Sequence, residues 1–132
     1  MGVGAIGTAL GGMRAASLRL DAAASNLANA GSTGAPPDAA GRSNAYAPVA
    51  VRTTATADGG VRADLVPRAP AYESRFDPDA PDAGPDGTVA APAVDVVVEL
   101  TDVLRARQGY AASAKVVAVA NDMMRTTLDA LT

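Results

Sequence analysis

Cysteine, histidine and tryptophan are absent from this chain of 132 residues, and phenylalanine occurs once. The missing cysteine and histidine exclude disulfides, thiolate and imidazole metal ligands, a cysteine nucleophile and a histidine base. Metal or acid–base chemistry would have to rest on carboxylates alone. The serines and threonines have no activating base beyond those carboxylates and a single lysine, Lys115. No catalytic, metal or cofactor site is therefore expected, and the chain reads as a non-enzyme. Three tyrosines and one phenylalanine give little aromatic surface to line a pocket or stack on bases. Ten arginines are scattered through a chain of net charge -3, so no basic face forms and nucleic acid is not expected as a partner. No uncharged apolar run reaches membrane-spanning length, which argues against direct membrane insertion. The basic start of a secretory signal is also missing, since no Lys or Arg precedes Arg14.

Large apolar side chains are the next scarcity. Hydrophobic residues make up 48% of the chain, but alanine supplies 32 of them and Leu, Ile, Val and Phe together only 25. That fraction lies near the composition of chains that do not fold alone, although the small net charge argues against outright disorder. A large self-sufficient core is not expected.

Proline is absent from residues 1–30 and 94–132, and all nine prolines lie between Pro36 and Pro92. Proline removes a backbone donor and clashes inside helices, so long helices are possible only in the two ends. Both ends carry a seven-residue period. In the first, Ile6, Met13, Leu20 and Leu27 form one series, and Val3, Leu10, Ser17 and Ala24 a second. In the last, Val96, Val103, Tyr110, Val117, Met124 and Leu131 form one series, with Leu100, Arg107, Ala114, Asn121 and Leu128 as its companion. Such repeats mark heptad seams. Ile6, Leu10, Met13, Leu20 and Leu27 are expected to pack in the first helix, and Val103, Tyr110, Val117, Met124 and Leu131 in the second. A flanking series, Ala9, Ala16, Ala23 and Ala30, would permit close helix approach but contribute little hydrophobic stabilisation. Arg107 and Asn121 are expected to set register or face a polar neighbour.

The expected fold is mainly α with a small β element. Long N- and C-terminal helices pack as a coiled-coil-like pair, and a Pro/Gly-rich middle contains a β-hairpin. This divides the chain into an N-terminal helix (1–30), a loop and hairpin region (31–93) and a C-terminal helix (94–132). Asn29, Gly31 and Ser32 should close the first helix through left-handed backbone, and Asp95 should cap the second. Val96, Val97 and Val98 are poor helix formers, so that start is expected to fray or be strand-like. The hairpin should join residues 46–54 to 61–66 through Asp58, Gly59 and Gly60. Residues 31–44 and 77–87 have loop composition.

Two apparent motifs carry no chemistry. Gly2, Gly4 and Gly7 match G-x-G-x-x-G, but only Met1 precedes them, so the strand that the dinucleotide fingerprint requires is missing. Asp77, Asp79, Asp82 and Asp86 are interrupted by Pro78, Pro81 and Pro85 and lack the closing glutamate of a calcium loop, which leaves a solvated acidic loop.

The run Ala24-Ser25-Asn26-Leu27-Ala28-Asn29-Ala30, closing a heptad helix, resembles the signature of flagellar rod and hook axial proteins. Gly87-Thr88-Val89, Pro92-Ala93-Val94-Asp95, Tyr110-Ala111-Ala112 and Met123-Met124-Arg125-Thr126-Thr127-Leu128 resemble the C-terminal half of the proximal-rod members of the flagellar basal-body rod protein family. Phe76-Asp77-Pro78 with Pro81-Asp82-Ala83 fits the middle of those members. The pattern departs at Thr88, where Tyr is usual, at Ala93, where Asn is usual, and at Ser113, where Asn is usual; lost amide and phenol groups mean lost hydrogen bonds. The resemblance implies a structural subunit of the proximal rod that polymerises through its terminal helices into a torque-transmitting axial tube across the periplasm. Its implied partners are other rod subunits, copies of itself and, during secretion, the flagellar type III export apparatus. Another flagellar axial subunit and a non-flagellar coiled-coil adaptor are the alternatives. An adaptor should be strongly helical when dilute, whereas a rod subunit should be largely disordered at its ends. Leu20→Asp or Val117→Asp should block rod assembly and motility.

Overall fold

The structure is a computed structural model, described for residues 2–131. Met1 and Thr132 lie outside the described residues, as do the side chains of Gly2 and Val3, so the head of the second N-terminal series has no structural account. In chain order the elements are α1 (Gly2–Asn29), β1 (Val49–Ala55), β2 (Val61–Pro67), β3 (Tyr72–Phe76), β4 (Thr88–Pro92) and α2 (Val96–Asp129). At about 1.5 Å per residue, α1 is roughly 42 Å long and α2 roughly 51 Å. The expected architecture is present: two long terminal helices packed together, with small antiparallel strand pairs between them in sequence.

The helices run antiparallel. Gly12 lies against Ser113, Gly109 against Ala16, and Asn26 against Glu99, so every step along α1 is matched by an equal step back along α2. In this register the start of α1 lies opposite the region of Met123, and the last turn and a half of α2 extends past it.

Capping decides where α2 begins. Asp95 has extended backbone (φ -93, ψ 110), and its Oδ1 accepts from the amides of Val97 (2.8 Å) and Val98 (3.2 Å). Two otherwise orphaned donors are satisfied, which is enough to hold the three valines in a helix despite their stiffness. The expected fraying or strand at this point is therefore corrected. At the other junction α1 does stop at Asn29, but without a left-handed residue, since the positive-φ residues are Gly41, Gly59 and Gly87. Ser32 closes it instead, with its amide (3.0 Å) and hydroxyl (2.8 Å) both donating to the Asn29 carbonyl.

β1 and β2 form the expected hairpin, with Val49 opposite Pro67 and Ala55 opposite Val61. Gly59, at φ +81, supplies the left-handed residue of its turn. Gly11 of α1 sits under this hairpin, because a Cβ there would lie 3.3 Å from the Val61 carbonyl. A second hairpin, β3 with β4, was not expected from the sequence. β4 is the most buried strand, with Val89 and Ala90 each 1% exposed, and a backbone bridge from Gly34 extends it. The Gly34 amide donates to Ala90 (3.0 Å) and the Ala90 amide donates back (2.9 Å). A Cβ at Gly34 would fall 2.5 Å from the backbone nitrogen of Ala45. Backbone cannot rotate aside as a side chain can, so Gly34→Ala is expected to lower stability by about 2 kcal/mol or more in urea unfolding.

Loop carboxylates fix the remaining turns. Asp38 accepts from the amides of Arg42 and Ala40 (both 2.9 Å) and from the Arg42 guanidinium (3.0 Å). Those bonds, the Arg42 amide foremost, hold its carboxyl below the ordinary carboxylate value. Asp86 is lowered likewise, chiefly by the Thr88 hydroxyl (2.8 Å) and then its amide (3.2 Å).

Apart from Pro48 and Pro92, eleven apolar residues are buried among those described, and ten of them are alanine; Val89 is the exception. Sixteen large apolar side chains, by contrast, are exposed. An alanine brings little hydrophobic free energy to a core, whereas burying a Leu or Val is worth about 1.5–3 kcal/mol. Much of the apolar surface of the large side chains therefore stays open to solvent in the isolated subunit.

Candidate assembly interface

The signature run at the end of α1 builds a buried polar junction. Asn26 is 0% exposed and bonds to the chain much as a strand backbone would. Its Nδ2 donates to the Val49 carbonyl (2.8 Å), and its Oδ1 accepts from the Val49 amide (3.0 Å). The same Nδ2 donates to Glu99 Oε1 (3.1 Å), and the Tyr46 hydroxyl donates to Oδ1 (2.9 Å). Glu99, 1% exposed, is neutralised by Arg68, whose Nη1 lies 2.7 Å from the same Oε1. One amide thus ties α1 to β1 and α2, and Glu99 ties α2 to the segment after β2. The remaining signature residues surround it. Ser25 Oγ is 3.0 Å from the Tyr46 hydroxyl, Asn29 Nδ2 donates to the Ser25 carbonyl (2.9 Å), Leu27 is half-buried and Ala28 is exposed. Asn29 thus satisfies a carbonyl of its own helix end, whereas the backbone groups that Asn26 satisfies belong to Val49 of the hairpin. At the far junction Pro92 is buried at the end of β4, Val94 donates to its carbonyl (2.8 Å), and Asp95 caps α2.

From that junction the helices run together along their small residues. On α1 the line is Ala9, Ala16 and Ala23, at 7%, 5% and 2% exposure. On α2 it is Glu99, Ala106, Ser113 and Ala120, again seven residues apart, with Ala106 1% exposed. The series that reads from the sequence as a flanking face is the centre of the helix contact. Ser113 lies on this line opposite Gly12, where a Cβ would come within 2.6 Å of its hydroxyl oxygen, so a small side chain suits the site.

The large heptad residues flank that line. Ile6, Met13, Leu27, Val103, Val117 and Met124 are half-buried, whereas Leu10 (41%), Leu20 (43%) and Tyr110 (45%) are exposed. Leu131, 80% exposed, follows the end of α2 and has no helix opposite it among the described residues. Small residues set the helix separation, and the longer side chains stand at the rim, where Tyr110 lies beside Leu10, Met13 and Leu20 of α1. Leu20, Tyr110 and Ala111 line an open apolar groove over Ala16 and Ala106, and Leu10, Met13 and Leu18 continue it along α1. Val119 and Met123 line another toward the end of α2. Arg107 and Asn121 are exposed, so neither sets the register between the two helices. Glu99 is the buried polar residue of α2, and the sequence reading missed it. Its signal was one of only two glutamates in the chain, set in a run of valine and leucine and heading the series Glu99, Ala106, Ser113, Ala120.

Thr88 and Ala93 also have defined surroundings. Thr88 holds Asp86, and the Ala93 amide donates to the Ala71 carbonyl (3.0 Å).

Residues 6–35 match the family described as Flagella basal body rod protein, and residues 86–130 match that described as Flagellar basal body rod FlgEFG protein C-terminal. Together these matches take in most of α1, its closing turn, β4 and α2. The chain is 36% identical over 117 residues to the flagellar basal-body rod protein FlgC of Salmonella typhimurium, and 34% identical over 117 residues to that of Escherichia coli O6:H1. In each case the alignment covers 88% of this chain and 87% of the relative.

Proposed function

Because this chain belongs to the flagellar basal-body rod protein family, as a structural subunit of the rod and not an enzyme, we propose that it occupies the proximal rod and polymerises there through the outer faces of α1 and α2. Rod membership implies assembly with other rod subunits. In the proposed arrangement residues 1–30 and 94–132 form the axial part, residues 31–93 lie against outer or adjacent subunits, and copies of this chain contact one another.

The observation that carries this reading is the inversion of the core: prolines aside, ten of eleven buried apolar residues are alanine, while sixteen large apolar side chains are exposed. Neighbouring helices laid along the Leu10, Leu20 and Tyr110 groove and along Val119 and Met123 would bury those side chains. Contacts that are not two-fold symmetric repeat without closing and so build a helical tube. Long helices bonded side by side around such a tube would carry torque along it. A chain with so little internal apolar free energy also has only a shallow fold to undo for passage through the flagellar type III export apparatus, and its helices gain their remaining contacts on assembly in the periplasm. No described helix is long and apolar enough to cross a membrane.

Basal bodies isolated from a strain carrying a tagged copy test the position. The tag is expected in the proximal rod density, next to the export apparatus. A tag found in the distal rod or hook, or absent from basal bodies, would overturn the proposal.

A further inference from the structure

A polar cleft opens beside the buried junction, lined by Arg19 of α1, Arg68 after β2, and Arg105 of α2, over Glu99, Asp102 and the small residues Ala22 and Ala23. Three guanidinium groups from three separate segments face one space of about 280 Å³. Their donors are only partly used. Arg68 gives one Nη1 contact to Glu99, Arg105 gives one to Asp102 (3.3 Å), and Arg19 has no side-chain partner among the described residues. Each guanidinium has five N–H donors, no buried side-chain donor lacks a partner among the described residues, and the cleft's three guanidinium groups outnumber its two carboxylates, which leaves one net positive charge at its lining.

The complementary surface is the loop between β3 and β4. Asp79 and Asp82 are exposed there and have no partners among the described residues, while Asp77 and Asp86 are engaged by Arg75 and Thr88. The loop is ordered by its own turns, with Ala80 donating to Asp77 (3.2 Å), Ala83 to Ala80 (3.0 Å) and Gly87 to Gly84 (2.9 Å). It therefore presents its two carboxylates with little ordering cost on binding. Phe76, the one phenylalanine, is 73% exposed at its base, and an aromatic face is a good surface for arginine. The loop does not line the cleft of its own chain.

We infer that the cleft receives the Asp79–Asp82 loop of a second copy. The inference rests on the rod-subunit reading above and deepens it, because a cleft on one face meeting a loop on another is a heterologous contact that propagates from copy to copy. Planar guanidinium groups favour carboxylate partners in bidentate geometry, which fixes the orientation of each subunit on the last.

Arg19 and Asp82 are both exposed, and the chain has no cysteine of its own, so Arg19→Cys and Asp82→Cys can be introduced together without background thiols. In purified basal bodies the doubly substituted chain is expected to give disulfide-linked multimers of itself, and either single variant to give none. Arg19→Asp and Asp82→Arg alone should each reduce incorporation into basal bodies about fivefold to tenfold, and the two together should restore it. Absence of the cross-link, no rescue by the charge swap, or a cross-link to a different rod protein would overturn the inference. If the unsubstituted chain itself fails to enter basal bodies, the rod-subunit reading fails first, and the two failures are distinguished.

Discussion

Replacing Asn26 with leucine is expected to lower the stability of the isolated chain by roughly 3–5 kcal/mol, measured by urea unfolding. The side chains are similar in size, so the loss is one of hydrogen bonding and not of volume. Leucine would strand the Val49 amide and carbonyl and remove a donor from Glu99 and an acceptor from Tyr46, all at a position with 0% exposure. Asn26→Asp gives a sharper version. It keeps an acceptor for Val49 and Tyr46 but sets a second carboxylate against Glu99 where the amide now donates at 3.1 Å. Glu99→Gln on that background returns a donor to the pair. The double variant is therefore expected to be more stable than Asn26→Asp alone, and the coupling in the double-mutant cycle should be about 1–3 kcal/mol. Additive effects would mean that the two side chains do not communicate.

The second large effect separates folding from assembly. Ala106→Leu adds three carbons where 1% of the residue is exposed, on the line where α2 meets Ala16 and Ala23. Overpacking there is expected to cost about 3 kcal/mol and to lower the melting midpoint by roughly 10 °C, because the helices must separate along their length. Leu20→Asp is the opposite case. Leu20 is 43% exposed on the groove side, so the isolated chain should lose no more than about 1 kcal/mol, yet motility should be abolished. Val117→Asp, at a half-buried position, should impair both. Normal motility with both Leu20→Asp and Val117→Asp would contradict the assembly role given to these faces.

The two helices, the first hairpin and the Asp95 cap were legible because each follows from a local rule: proline-free heptads, an Asp-Gly-Gly turn, and an acceptor before an apolar run. The phase of the helix contact was not. Weighing heptads by hydrophobicity favours Ile6, Met13, Leu20 and Leu27, but when alanines repeat on an adjacent stripe of both helices, close approach of the backbones decides which stripe is central. β3 and β4 were missed because Glu73, Ser74 and Arg75 are polar and Ala90 and Ala91 have low strand propensity; their pairing is fixed by tertiary contacts, including the bridge to Gly34. The junction joins Asn26 to a glutamate 73 residues later, a distance over which no local pattern operates. The signature run marked Asn26, but only the fold shows that its amide completes a strand edge and a buried ion pair.

The central claim is that the large apolar residues of α1 and α2 face outward so that neighbouring rod subunits can cover them. Leu20→Cys, in a chain with no other thiol, tests it most directly through the rate of alkylation. The thiol should react readily in the isolated subunit and be strongly protected in purified basal bodies. Equal reactivity in both states would contradict the claim.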